Sequence, residues 1–192
     1  MKDKLILDAT SAFRMMWFDK EQENTVYLDK RSDEELQEAI EQFGKNRGRP
    51  VFKEPWNPEN KTVKGDYRKL PYPDKSFKLI IFDPPHLVGS DSPRFQMGLQ
   101  FGVLKAETWQ SDISKASREL WRVLEDYGVL LFKWCDSNFD YERVLKLFPV
   151  RPLIRQVTSN KKNNKRKLKT YWFAFIKFPE ISVSPKELQE NK

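Results

Sequence analysis

Four aspartates stand at or just past the ends of short apolar runs, at the points where strands give way to loops: Asp8, Asp29, Asp66 and Asp83. Crowded carboxylates repel each other, so they are tolerated when each accepts hydrogen bonds from a polar ligand or from backbone amides. A nucleoside offers such donors in its ribose hydroxyls and its exocyclic amine. The pattern therefore predicts a nucleoside-type ligand. Aspartate is also a common strand terminator, and an ordinary turn residue is the alternative for Asp29 and for Asp66.

The order of apolar runs and amphipathic stretches determines where these aspartates lie. Apolar runs predict strands at residues 5–7, 25–28, 62–64, 75–82, 127–134, 150–158 and 170–178. Helical spacing predicts helices at residues 11–19, 32–44, 107–124 and 141–148, the second of them opened by a capping box of Ser32 and Glu35. Strands that alternate with helices and end in a hairpin predict an α/β three-layer sandwich. Ligands of such sheets bind beyond the carboxyl ends of the strands, where the aspartates stand.

Length and composition fit one globular domain. The chain has 192 residues, of which 39% are hydrophobic and 33% charged, so we predict a single domain over residues 1–178 and a polar tail over residues 179–192. No apolar run approaches the roughly 20 residues of a spanning helix, which predicts no membrane association. A single cysteine, Cys135, excludes an internal disulfide, and with the single histidine, His86, it cannot form a usual zinc site. We therefore expect no metal and a reducing, cytoplasmic location.

Positive charge is concentrated in one segment. The net charge is +7, and residues 151–169 contain eight Lys or Arg and no Asp or Glu, so the rest of the chain is close to neutral. A cationic segment between two apolar strands predicts contact with a polyanion, because each bound phosphate releases counterions. The alternative is a solvated hairpin tip that its charge keeps soluble. The residues assigned to nucleic-acid contact are Arg155, Lys161, Lys162, Lys165, Arg166, Lys167 and Lys169.

Several segments resemble the motifs of one enzyme family. Asp83-Pro84-Pro85-His86 resembles motif IV, Asp/Asn-Pro-Pro-aromatic, of class I S-adenosylmethionine-dependent methyltransferases that act on planar amino groups, above all adenine-N6 DNA methyltransferases. Residues 6–14 resemble motif I, the cofactor loop of that family. Residues 27–29 resemble the acidic end of its second strand, and residues 65–80 resemble the run that joins motif III to the fourth strand.

Further segments extend the resemblance to nearly the whole chain. Residues 122–124 and 128–133 are similar to the helix and strand that follow motif IV. Together with residues 13–19 and 170–173, the combination looks most like small methyltransferases of bacteriophages and prophages. Over residues 5–177 the resemblance implies a Rossmann-like class I methyltransferase fold, with a mostly parallel seven-stranded sheet and a C-terminal antiparallel hairpin.

The resemblance assigns residues to S-adenosyl-L-methionine, the cofactor that it implies. Asp8 and the following loop would hold the methionine part, with backbone amides at a helix start meeting its carboxylate. The loop residues so assigned are Ala9, Thr10, Ser11, Ala12 and Phe13. Asp29 would accept from the ribose hydroxyls and Asp66, beside Tyr67, from the adenine amine. The family usually has glycines in this loop, but residues 8–19 contain none, so a Cβ narrows the approach at the position of Ala12.

The same resemblance makes Asp83, Pro84, Pro85 and His86 the catalytic residues. An adenine amine is a poor nucleophile because its lone pair is delocalised into the ring. Hydrogen bonds accepted by the Asp83 carboxylate and the Pro84 carbonyl would make the nitrogen more pyramidal and more reactive. The consecutive prolines stiffen the backbone that presents this carbonyl. His86 would stack on the base, where the family more often has Tyr, Phe or Trp; a capping or loop histidine is the alternative.

The target base must leave a duplex to reach such a site. Phe95, Phe101 and Trp134 are candidates to line its pocket, although each can equally belong to the core. The length leaves no room for a separate target-recognition domain. Selectivity for a DNA sequence would then come from residues 45–61, from residues 89–105, from the cationic segment 151–169 or from a partner.

The sequence thus predicts an enzyme that transfers a methyl group from S-adenosyl-L-methionine to the N6 amine of adenine in DNA. The expected partner is DNA, ahead of RNA, and the expected setting is the cytoplasm of a bacterial or phage-infected cell. One alternative keeps the methyltransferase but changes the acceptor to RNA or a protein glutamine. Another is a degenerate, non-catalytic nucleic-acid-binding module, which the glycine-free loop favours.

Overall fold

Seven strands form one central sheet. The computed structural model describes residues 4–48, 52, 56–89, 98, 101–159 and 168–179. Across the sheet the strands are β3 (Val63–Lys64), β2 (Thr25–Asp29), β1 (Ile6–Asp8), β4 (Phe77–Phe82), β7 (Leu124–Cys135), β9 (Lys169–Ile176) and β8 (Ile154–Ser159). Neighbours from β3 to β7 pair in parallel, whereas β9 is antiparallel to both β7 and β8. The predicted fold class, a Rossmann-like sheet that is mostly parallel and has a C-terminal antiparallel hairpin, is confirmed.

Three of the four predicted helices form. Helix α1 (Asp33–Arg47) begins with the predicted capping box, in which Ser32 and Glu35 each accept from the other's backbone N–H, and ends at Gly48, whose φ of 64° suits glycine. Helix α2 (Trp109–Val123) follows, and α3 (Tyr141–Leu145) is shorter than predicted. A two-stranded parallel pair, β5 (Val88–Gly89) and β6 (Leu104–Lys105), was not predicted.

The two faces of the sheet are covered differently. On one face the apolar side chains of β4, β7 and β9 pack against α2 and α3 in a continuous core that includes Phe82, Phe132 and Phe173. The next residues along each strand point to the other face. There, Leu131 and Trp172 remain half-buried, and Ile154 on the edge strand is 65% exposed.

The helix predicted at residues 11–19 is wrong. The segment forms successive turns, with left-handed φ angles of 41° at Ala12 and 52° at Arg14. Its apolar residues point to different places and form no common face: Phe13 packs against α1, and Met16 is exposed. No helix start is therefore present after β1 to meet a cofactor carboxylate.

A buried arginine explains the turns. The Arg14 side chain is fully buried, and its guanidinium donates to the carbonyls of Lys20 (2.7 Å) and Asn60 (2.6 Å) and to the Thr62 hydroxyl (3.2 Å). It also lies 3.7 Å from the centroid of the Tyr27 ring, a cation–π contact. These bonds, together with the Glu21 carboxylate 3.7 Å away, compensate a buried cation, and they connect the turns to two other loops.

We predict that Arg14→Met lowers the free energy of unfolding by about 3 kcal/mol, because several buried carbonyl and hydroxyl groups lose their donor. Urea unfolding followed by circular dichroism measures the change. Arg118→Met, at an exposed position of α2, is the control and should stay within about 0.5 kcal/mol of wild type. Equal stabilities of the two variants would contradict the anchoring role of Arg14.

Candidate active site at the carboxyl edge of the sheet

Strand pairing brings Asp8 and Asp83 together. Strands β1 and β4 are parallel neighbours in which Asp8 lies opposite Ile81. Asp83 comes two residues after Ile81, just beyond the end of β4. The loops after the two strands are also joined: the Ala9 N–H donates to the Ile81 carbonyl (2.9 Å), and the Asp83 N–H donates to the Thr10 hydroxyl (2.8 Å). The proposed cofactor loop and the Asp-Pro-Pro-His segment are thus adjacent.

Asp8 is buried in a setting that favours its neutral form. Only 1% of the residue is exposed, and its carboxyl group accepts from the Trp17 indole N–H (2.7 Å) and from the Thr10 N–H (3.2 Å). Burial raises the pKa of Asp8 to about 7, with a smaller contribution from the charge of Asp83, despite these two hydrogen bonds.

Asp83 is kept ionised by two cationic or donating neighbours. The Lys133 ammonium lies 2.6 Å from Oδ2, and Nε2 of His86 lies 3.0 Å from Oδ1. Burial alone would raise the pKa of Asp83, but the His86 hydrogen bond and the charges of His86 and Lys133 outweigh it and bring this pKa below its ordinary value. A carboxylate has about four acceptor positions, so Asp83 can accept further donors.

Lys133 was missed in the sequence. It stands next to Asp83 because β4 and β7 pair in parallel, with Phe82 opposite Phe132. Nothing in the residues around Lys133, which follows Phe132 on β7, indicates that its side chain contacts Asp83. Only the pairing of these two strands, which are far apart in sequence, could have shown it.

His86 is held by the protein around it. Its ring packs edge-on against Trp134 with centroids 5.3 Å apart, and its carbonyl accepts from the Ser137 hydroxyl (2.5 Å). The Nδ1 atom is buried and has no hydrogen-bond partner among the described residues. Pro84 is buried, whereas Pro85 is half-buried.

The three aromatic residues considered for a base pocket differ in position. Trp134 is fully buried among core aromatics, so it does not line an open pocket. Phe101 is 42% exposed, and Phe95 lies outside the described residues.

Asp29 and Asp66 are each bound by an arginine two residues later. Asp29 accepts from the Ala12 N–H (3.1 Å) and from the backbone and guanidinium of Arg31. Asp66 accepts from the backbone and guanidinium of Arg68, which holds the pKa of Asp66 below its ordinary value. In each carboxylate these bonds use about all of the acceptor positions. Sequence reasoning overlooked this Asp-x-Arg repetition.

The order of the strands determines how the four aspartates and Lys133 are arranged. Because β3, β2, β1, β4 and β7 are parallel and adjacent, Asp66, Asp29, Asp8, Asp83 and Lys133 succeed one another along one edge of the sheet. Tyr67, next to Asp66, packs edge-on against Phe82 with ring centroids 5.3 Å apart.

Strand β8 ends and strand β9 begins at this same edge. Cys135 at the end of β7 pairs with Thr170 at the start of β9, and Ser159 pairs with the exposed Lys169. Arg155 lies further down β8, where its guanidinium stacks on the Tyr141 ring at 5.1 Å and donates to the Tyr141 hydroxyl. The other five basic residues assigned to nucleic acid lie outside the described residues: Lys161, Lys162, Lys165, Arg166 and Lys167.

The described residues contain neither a metal-binding cluster nor a membrane-spanning helix. Over the ranges described above, no group of three or more His, Cys, Asp or Glu is placed to hold a metal ion, and no helix has the length and apolarity needed to cross a bilayer. A cavity of about 260 Å³, lined in part by Lys75, Trp121 and Lys177, lies at the opposite edge of the sheet, away from the carboxylates.

We predict that the burial of Asp8 makes the protein less stable as the pH rises. The folded state keeps the Asp8 proton up to about pH 7, whereas the unfolded chain loses it near pH 3.8, so the free energy of unfolding falls between these values. Asp8→Asn should remove about 2–4 kcal/mol of this decline, as measured by urea unfolding from pH 4 to pH 8. Asp74→Asn, at an exposed carboxylate, should leave the decline intact. An undiminished decline in Asp8→Asn would show that another group causes it.

We predict that Lys133→Met raises the pKa of Asp83, because burial remains while one compensating charge is lost. Lys133→Arg, which keeps the charge, should preserve the low pKa. Carbon-13 NMR titration of the aspartate carboxyl groups, with Asp83 assigned through Asp83→Asn, measures both. An unchanged titration in Lys133→Met would mean that His86 alone maintains the charge.

Several solved structures have a fold similar to that of this chain. No family model matches the sequence, and no curated protein matches it. Among solved structures, the chain is similar to a SAM-dependent methyltransferase from Methanosarcina mazei, with a TM-score of 0.57, 12% identity and coverage of 94% of this chain and 95% of that one. It is also similar to a protein from Pyrococcus horikoshii OT3 (TM-score 0.51, 15% identity, 92% and 82% covered) and to the [4+2]-cyclase SpnF (0.52, 11%, 90% and 74%). At these identities the likeness establishes a shared fold.

Proposed function

We propose that this protein is an S-adenosylmethionine-dependent methyltransferase that acts on the exocyclic N6 amine of adenine in DNA. The observation that carries the proposal is Asp83, a half-buried carboxylate bonded to Lys133 and His86, which stands at the carboxyl edge beside Asp8 and the loop after β1. A fold shared with a methyltransferase supports the coarser part of the proposal, and the Asp-Pro-Pro-His segment at the end of β4 supports the finer part.

Residues after β1 are suited to a polar cofactor. The Ser11 hydroxyl is buried and has no hydrogen-bond partner in the described part of the chain, so a ligand there would satisfy it. Asp8 and residues 9–13 would hold the methionine part of S-adenosyl-L-methionine, the expected cofactor. Asp29 and Asp66 would take the ribose and adenine, provided that Arg31 and Arg68 release them.

Asp83 is assigned the role of a hydrogen-bond acceptor for the amine that receives the methyl group. The cofactor supplies an electrophilic methyl group, and the protein must make an amine nucleophilic beside it. Asp83 is ionised and has acceptor positions left, so it can accept an N–H of the amine, while the Pro84 carbonyl can accept the second. Lys133 and His86 fix the carboxylate in place before substrate arrives, so little reorganisation is needed in the transition state.

Charge at the same edge favours a nucleic acid as the acceptor molecule. Strands β8 and β9 meet at this edge, where Lys169 is exposed, and the sequence of residues 151–169 contains eight Lys or Arg and no Asp or Glu. Phosphates bound there would direct a strand towards Asp83. We place this activity in the cytoplasm of a bacterial or phage-infected cell, where it would mark or protect DNA.

One observation favours a second candidate, a non-catalytic nucleic-acid-binding module. Asp29 and Asp66 are already saturated by Arg31 and Arg68, which leaves no free acceptor for a nucleoside at either position. Calorimetry with S-adenosyl-L-methionine separates the candidates, because the module would not bind it at millimolar concentration. Comparing DNA, RNA and protein acceptors in one transfer assay tests the RNA and glutamine alternatives.

We predict that Asp83→Ala lowers methyl transfer to DNA by at least about a hundredfold, because it removes the acceptor that polarises the amine. Transfer of labelled methyl followed by nucleoside analysis measures the rate and identifies N6-methyladenine. Asp74→Asn, an exposed carboxylate before β4, is the matched control and should retain full activity. Undiminished transfer by Asp83→Ala, or a product other than N6-methyladenine, would contradict the proposal.

A further inference from the structure

An aromatic cleft lies beside the candidate site, on the sheet face opposite α2. It has a volume of about 430 Å³, which is within the range of ligand pockets. The sheet contributes Ile81, Leu131 and Trp172. The segment after β1 contributes the other lining residues, which are Met16, Trp17, Phe18, Asp19 and Gln22.

Both walls of the aromatic cleft are connected to carboxylates of the candidate site. Trp17 donates its indole N–H to Asp8 at 2.7 Å. On the other side, Lys133 is bonded to Asp83 at 2.6 Å and lies 5.8 Å from the centroid of the Trp172 ring. A ligand in the cleft would therefore contact the same side chains that position the two aspartates.

Phe18 is held in solvent by a well-anchored segment. Its side chain is completely exposed, although exposure of an aromatic ring is unfavourable. The segment is not free to bury it, because Arg14 is fixed by its buried hydrogen bonds and the Trp17 ring packs edge-on against Tyr27 at 5.2 Å. A rigidly presented aromatic next to an open cleft is typical of a surface that meets a flat, apolar ligand.

We propose that the aromatic cleft binds an unpaired, non-reacting nucleobase of the acceptor strand, adjacent to the base whose amine reaches Asp83. The inference rests on the proposed function in taking the acceptor to be a nucleic acid. Tryptophan and phenylalanine faces are the usual stacking surfaces for unpaired bases. The Lys133 ammonium and the exposed Lys169 at the start of β9, on the same edge, complement the charge of the sugar–phosphate backbone.

Lys133 adjoins both places. Its ammonium bonds Asp83 at 2.6 Å and lies 5.8 Å from the Trp172 ring centroid, and we assign the reacting base to Asp83 and its neighbour in the strand to the Trp172 ring. Two adjacent bases must then leave the stack together. A duplex resists this more than a single strand does, so the substrate would be single-stranded or locally unpaired DNA.

Fluorescence anisotropy with a dye-labelled DNA strand tests the inference. Phe18→Ser and Trp172→Leu should each weaken binding of the single strand roughly tenfold, the loss of one base–aromatic stack. The slope of log affinity against log salt should not change, because no phosphate contact is removed. Phe178→Ser, an exposed phenylalanine after β9 at the opposite edge of the sheet, should bind as wild type does. Wild type should also prefer the single strand to the matched duplex.

A base analogue reports the stacking directly. 2-Aminopurine next to the target adenine should lose fluorescence on binding wild type and regain it with Phe18→Ser, a surface change that leaves folding intact. Unaltered binding and fluorescence in both cleft variants, with wild type still methylating DNA, would overturn the inference alone. So would conversion of an oligomer to a monomer by Phe18→Ser, which would assign the cleft to a second copy. Wild type that neither binds nor methylates nucleic acid would overturn the proposed function as well.

Discussion

The structure depends on placing two carboxyl groups, those of Asp8 and Asp83, next to each other inside a sheet. Parallel pairing of β1 with β4 makes this unavoidable once both strands end in aspartate. The charge of Asp83 disfavours a second charge on Asp8, and the protein gives the two carboxyl groups different surroundings. Asp8 is surrounded so that it keeps its proton to about pH 7, whereas Asp83 is ionised beside Lys133 and His86. Below about pH 7 only Asp83 of the pair is predominantly ionised.

In the segment after β1, turns held by the buried Arg14 side chain occur where a helix was expected. Proteins of this architecture alternate strands and helices, yet this chain places turns between β1 and β2. Arg14 makes that possible by satisfying carbonyls from two distant loops, at Lys20 and Asn60, which would otherwise lack donors. The absence of a helix leaves the sheet face open beside the site, and Trp17 reaches Asp8 across it. The turns after β1 thus supply one wall of the aromatic cleft, and the exposed part of the sheet supplies the other.

The sequence predicted the sheet well because its information is local. Continuous apolar runs marked the buried strands, and Ser32 with Glu35 marked the start of α1. Residues 11–19 misled because an apolar spacing of three and four residues is compatible with a helix whatever the side chains actually contact. Lys133 and the arginines that bind Asp29 and Asp66 were missed for a different reason: their roles arise from charges that meet only after folding. Sequence periodicity reports burial, and it does not report which polar groups will pair.

The fold alone leaves the reaction undetermined, since the structures it resembles include a methyltransferase and a [4+2]-cyclase. What separates such activities is the acceptor side of the site, where this chain has an ionised carboxylate followed by two prolines. A cyclisation of a neutral substrate gains little from a buried carboxylate that two neighbours hold in its charged state. An amine that must become nucleophilic gains much, because an oriented anion stabilises the positive charge that develops on nitrogen during methyl transfer. The proposed amine chemistry therefore rests on Asp83 with its contacts to Lys133 and His86, whereas the fold is shared by a methyltransferase and a cyclase alike.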